Sequence, residues 1–156
     1  MDTQKLAFIT TGFVRLANKL FTEKTGRWGK MNAQQMVEHL VYVFKVSSKK
    51  IILPLHTPEE YLPKYKAFLL SDKEFRENTK APEVVFPEEP LPLRNISYAE
   101  AMNELQKEVN DFVAFFKHDP ESKTLHPVFG ELNFEEWVLL HYKHVIHHAK
   151  QFELMD

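Results

Sequence analysis

At 156 residues, with 44% hydrophobic and 27% charged side chains, the chain suits one domain with a packed core, and disorder throughout is excluded. A formal net charge of −2 argues against a dedicated nucleic-acid binder, and the absence of cysteine removes disulfides, thiolate-ligated metals and cysteine nucleophiles. No apolar run approaches the roughly 18 residues of a membrane span, and the start Met1-Asp2-Thr3-Gln4-Lys5 is unlike a signal peptide, so the expectation is a soluble, cytoplasmic globule that contacts no membrane. Residues 1–50 hold nine Lys/Arg against three Asp/Glu, leaving the remainder acidic. That asymmetry reads either as solvated faces of different helices or as a basic rim for an anionic ligand or acidic partner.

The first amphipathic pattern is Leu6, Ile9, Phe13, Leu16 and Leu20, with Ala17 and Phe21 widening the stripe and Gly26 placed to end the helix. The second is Met36, His39, Leu40, Val43 and Phe44; it starts at Asn32, three residues before Gln35, which is the spacing of a capping box. Seven of the nine prolines then fall between 54 and 92, in a connection over residues 51–96 that far exceeds the roughly 2–8 residues usual between bundle helices. Within it Thr57-Pro58-Glu59-Glu60 reads as a capped helix start, Ser71-Asp72-Lys73-Glu74 as a weaker one, and residues 81–94 as extended chain. Such a connection serves as a strap over the helices or as the lid or wall of a site. The third pattern, Tyr98, Met102, Leu105, Val109, Phe112 and Phe116, begins after Ser97, and the fourth, from Phe134 to Phe152, after Asn133. The expected fold class is all-α: a four-helix bundle in one domain over residues 1–156, with a long irregular connection between helices two and three.

Five of the eight histidines lie between 126 and 148. At about 100° per residue, with His144 at zero, His148 falls near +40°, His141 near +60° and Trp137 near +20°, whereas Tyr142 and Lys143 face away. His141, His144 and His148 therefore share the apolar face, and His147 sits at its margin. Three buried imidazoles cannot all be charged, and a divalent metal would take one nitrogen from each. His144 and His148 are i, i+4 neighbours suited to a single ion, and His39 is the one histidine in the apolar stripes of the other helices. His141, at i, i+3 to His144, can replace either partner. The alternative is a set of hydrogen-bonded core histidines. His56 and His118 lie in or beside loops and are expected to be solvated. His126 precedes Pro127 in a turn, where it is either structural or lines the mouth of the site.

Three stretches carry a family resemblance: Trp28-Gly29-Lys30-Met31-Asn32-Ala33-Gln34-Gln35-Met36-Val37-Glu38-His39-Leu40, then His126-Pro127-Val128-Phe129-Gly130, then His144-Val145-Ile146-His147-His148-Ala149-Lys150-Gln151-Phe152. Together they resemble the DinB/YfiT-like metalloenzyme superfamily, and more closely an uncharacterised branch of it, with residues 51–96 outside the match. The resemblance implies an up-down-down-up bundle with nickel or zinc held by His39, His144 and His148. It also implies a homodimer and a small-molecule substrate. The activity it suggests is transfer of a low-molecular-weight thiol to an electrophile in some members and hydrolysis in others.

Three neutral imidazoles leave a dication its full charge and an open position, the catalytic pattern rather than the structural one. Such an ion could hold a thiol cofactor as thiolate, or activate water for attack on a carbonyl. Without cysteine, the thiol would arrive as a ligand. Hydrolysis normally wants a carboxylate base beside the water. Glu38, about 100° from His39, is expected to face outward, and Glu136 has a capping duty, so the thiol reading is favoured. Gln35, one turn before His39, could reach a substrate, but its capping role is the stronger expectation. A bundle that only binds metal or a partner is the remaining alternative.

Overall fold

The chain begins with a helical run over residues 3–17, made of α1 (Thr3–Ala7), a π-helical turn (Phe8–Gly12) and α2 (Phe13–Ala17), in a computed structural model that describes residues 1–156. The Asp2 side chain caps it by accepting from the Lys5 amide at 3.0 Å. Ile9, Phe13 and Ala17 are buried, as their spacing predicts, but the helix ends near Asn18, well short of Gly26, and Phe21 is 57% exposed. Gly26 has another use. A Cβ there would stand 2.8 Å from Gln151 Cγ, and Gly29, at φ +79°, would bring one to 2.8 Å from Gln151 Nε2. Both glycines let the loop close onto the end of the last helix.

The three capped starts fall where the side chains place them. α3 (Ala33–Ser47) carries the full Asn32–Gln35 capping box. The connection contains a 3₁₀ turn (Glu59–Tyr61) and α4 (Leu62–Leu70), which begins with Pro63 in its first turn, a few residues later than the Thr57-Pro58 signal suggests. Ser71 starts no helix; its hydroxyl donates to the Phe68 carbonyl at 2.7 Å and closes α4 instead. From there to Ser97 the chain has no regular structure and forms a strap. α5 (Tyr98–His118) is capped by Ser97, and α6 (Phe134–Gln151) by a second full capping box, Asn133 with Glu136.

The all-α expectation needs correction. β1 (Thr124–His126) and β2 (Gly130–Leu132) form a two-stranded antiparallel sheet, with Thr124 opposite Leu132 and His126 opposite Gly130. Gly130, at φ +82°, takes the left-handed conformation that this turn requires. Three residues per strand are too few to show a period of two in sequence.

The molecule is mostly helical, and one core joins its long helical segments: Phe13, Phe44, Phe112, Trp137 and Phe152 are among its fully buried side chains. The charge asymmetry is largely internal. Lys50 of the basic N-terminal third reaches Glu108 at 2.7 Å and Asp111 at 2.6 Å on α5, and Lys45 lies 3.5 Å from Glu104. No helix is long and apolar enough to cross a membrane.

Candidate metal centre

α3 and α6 bring His39, His144 and His148 together. His144 Nε2 lies 3.0 Å from His39 Nε2 and 3.0 Å from His148 Nε2. His144 Nε2 thus stands between the other two, and the ligand atoms of the three rings lie within 4.8 Å of one another. Two nitrogens each about 2.1 Å from a common centre are about 3.0 Å apart when they subtend a right angle, so the His39–His144 and His144–His148 spacings each suit neighbouring ligands of one ion.

The tautomers sharpen this. Gln151 Nε2 donates to the Trp28 carbonyl at 2.9 Å, which fixes the amide and leaves Oε1 facing His148 Nδ1 at 2.6 Å. An amide oxygen only accepts, so His148 Nδ1 carries the proton and His148 Nε2 presents a bare lone pair. A single proton on His144 Nε2 would then have to serve two neighbours at once, one well or both poorly. A cation satisfies all three nitrogens.

Burial, with a smaller contribution from His147, pushes the His39 pKa down to about 4. Burial and the neighbouring imidazoles hold His144 and His148 well below their ordinary value. The lone pairs are free at neutral pH, the state that metal binding needs.

The trio lies in the wall of a cavity of about 1370 Å³, bounded by α3, α4, the strap, the hairpin turn and α6. His126, His147 and Gln35 line it too. The Gln35 side chain combines two tasks, accepting from the Asn32 amide at 2.9 Å and donating to the strap carbonyl of Leu91 at 3.2 Å. The His147 ring packs between Trp28, at 5.4 Å, and Phe75, at 6.0 Å. Phe86 of the strap meets the His39 ring edge-on at 4.8 Å. His56 and His118, the latter the last residue of α5, are exposed, as expected for histidines in or beside loops.

Two residues from the same face belong elsewhere. His141 stacks on Phe44 at 3.8 Å and on Trp137 at 5.2 Å, with Nε2 3.0 Å from Ser47 Oγ, and neither His141 nor Trp137 lines the cavity. Trp137 Nε1 donates to Thr124 Oγ1 at 2.6 Å, and Thr124 Oγ1 in turn donates to the Ser47 carbonyl. The angle between His141 and His144 on the wheel turns His141 into the helical core. Accordingly, His141→Ala is expected to keep its metal and lose about 2–4 kcal/mol of stability in denaturant titration, through a buried void and a lost hydrogen bond.

Glu38 and Lys143 were expected to face outward, and both are buried. The end of the strap covers Glu38. Its carboxylate accepts from the Arg94 amide at 2.9 Å, the Asn95 amide at 2.9 Å, Asn95 Nδ2 at 3.1 Å and Gln34 Nε2 at 3.2 Å. Burial pushes its carboxyl up, yet these donors outweigh it and leave the pKa below the usual value. Lys143 donates to the Ser71 carbonyl at 2.8 Å and to that of Lys73, and its pKa is lowered, chiefly by burial. The anchoring contacts of Glu38 and the Gln151 contact with His148 are what the sequence did not show. Gln151 carries a faint signal, one turn beyond His148 on the same face.

A family model described as "Protein of unknown function (DUF1569)" matches residues 4–155. No curated protein and no solved structure matches the chain. The DinB/YfiT-like assignment is thereby corrected: it rested on three short histidine-bearing stretches, and a match across almost the whole chain outweighs them. The chain belongs to the DUF1569 family.

Proposed function

We propose that the protein is a metal-dependent enzyme, built on an up-down-down-up four-helix bundle, that acts on a small molecule admitted to the strap-covered cavity. One observation carries this reading: three histidines from two helices bring their ring nitrogens within 4.8 Å of one another in the cavity wall. The core shared by the helical segments supports the bundle. His39, His144 and His148 would hold the ion, with nickel or zinc suiting an all-imidazole set. When bound, the ion supplies a dication that stabilises an anion developing beside it.

The chain's own residues do the rest. Gln151 holds the His148 tautomer, the convergent rings keep their lone pairs unprotonated, and Phe86 shields His39 from bulk water. Between the two chemistries, transfer of a thiol to an electrophile is favoured over hydrolysis. The grouping at the centre contains no carboxylate, and Glu38, the nearest in sequence, has its oxygens committed to the strap.

Freshly purified protein is expected to carry about one equivalent of divalent metal and to turn over a thiol-plus-electrophile panel, with activity lost to chelator and restored by nickel or zinc. Turnover of ester and amide panels alone would favour hydrolysis. Stoichiometric metal with no turnover on any panel would leave a binding protein.

A further inference from the structure

His126 closes β1, and its ring faces the turn that follows. The backbone N–H groups of Val128 and Phe129 both donate to its Nδ1, at 3.0 Å and 3.3 Å. A nitrogen that accepts two amide protons carries none of its own, so the one proton of the neutral ring sits on Nε2. Burial lowers the pKa to about 3, so the ring stays neutral. Nε2 has no hydrogen-bond partner within the protein, yet no buried side-chain nitrogen or oxygen is left unpartnered. Nε2 therefore keeps accessible surface, and His126 is among the residues that line the cavity. A fixed, neutral, unused donor in a cavity wall is an electrophilic handle for an oxygen atom.

Its surroundings select the kind of oxygen. The His126 ring lies 5.2 Å from Phe129, and Phe129 lies 5.8 Å from Tyr65, 6.4 Å from Phe68 and 6.4 Å from Phe75, all of them on the cavity wall. The cavity wall beside the ring is therefore aromatic. A ring locked neutral by its turn gives no counter-charge to offset the desolvation of a carboxylate or phosphate against these aromatic walls, so it suits an uncharged acceptor.

We propose that His126 Nε2–H binds a carbonyl oxygen on an apolar, ring-sized portion of the substrate. This rests on the metal-centre reading for where the reacting group lies, but the hydrogen bond itself does not depend on the ion.

Two measurements on the protein as purified test it. Long-range ¹H–¹⁵N spectra are expected to find His126 as the Nε2–H tautomer between pH 6 and 8; an Nδ1–H tautomer overturns the proposal. Acetophenone and ethylbenzene differ in having a carbonyl or a methylene at the same place, and their binding can be followed through the Phe129 amide. Acetophenone is expected to bind roughly threefold to tenfold more tightly, the worth of one net hydrogen bond. In His126→Asn the side-chain oxygen still accepts from the turn amides while the Nε2–H is gone, so the preference should vanish. Equal affinities in the wild type, no binding of either probe, or a preference that persists in His126→Asn overturns the proposal. In His144→Ala the preference should survive, and its loss there would move the carbonyl to the metal and overturn the assignment. Metal content, measured on the same samples, separates this result from the fate of the metal-centre reading.

Discussion

His39→Ala, His144→Ala and His148→Ala are each expected to reduce bound divalent metal from about one equivalent to near zero, while helix content by circular dichroism is retained. The physical reason is the ligand count. Two imidazoles on one helix, or one on each of two, hold an ion loosely, and the third nitrogen turns an exchangeable contact into a site. The lost nitrogens are not needed for packing in the way that His141 is: His39 and His144 are only partly buried and face the cavity. Thermal stabilisation by added metal, which grows with the ratio of metal concentration to dissociation constant, should disappear in all three variants. Gln151→Ala provides the graded control. It leaves the three ligands in place but frees the His148 tautomer and ring, and a loss of about tenfold to a hundredfold in metal affinity is expected. Full retention of one equivalent by the three alanine variants would remove the metal centre.

Glu38→Ala is expected to be the most destabilising single change outside the hydrophobic core, at about 2–4 kcal/mol in denaturant titration. It strips the acceptor from two backbone amides of the strap, Arg94 and Asn95, and from the side chains of Asn95 and Gln34. Glu38→Gln keeps one acceptor oxygen and should lose about half as much.

Acid should act in the same direction. A carboxyl whose folded pKa lies below its unfolded value of about 4.5 contributes stability that is present above that pH and lost as pH falls. His126, at about 3, and His141, also well below 6.5, are neutral when folded and take up protons when unfolded, so their contribution is lost from about pH 6.5 downward. The denaturation midpoint should therefore fall steadily between pH 7 and pH 4. A midpoint that stayed flat over that range would mean that these groups titrate freely in the folded protein.

What could be read from the sequence was local or periodic. Asn32, Ser97 and Asn133 announce their helices because a cap is settled within four residues, and the stripe through His144 and His148 follows from 3.6 residues per turn. His39 could be paired with them because it alone interrupts an apolar stripe elsewhere. Glu38 and Lys143 were misplaced for one common reason. A helical wheel knows a helix's own faces but not what covers them, and their partners are main-chain groups of a segment without periodicity. Gln151 lies one turn beyond His148, but its role depends on Trp28 and on two glycines that let that loop approach. The hairpin escaped notice because its strands are too short to alternate. Its turn, which read as either structural or the mouth of the site, holds His126 through two amides in the cavity wall.

The strap is riveted at both ends. Lys143 grips its first carbonyls, and Glu38 grips its last amides. Between these rivets the chain is irregular and largely exposed, its wall contacts coming from single side chains such as Phe75 and Phe86. Lengthening or rewriting that span would reshape the chamber above the three imidazoles without moving the helices that carry them. If the proposed function holds, the architecture separates the part that fixes reactivity from the part that chooses the guest, and selectivity can drift while the helices that carry the histidines are left untouched.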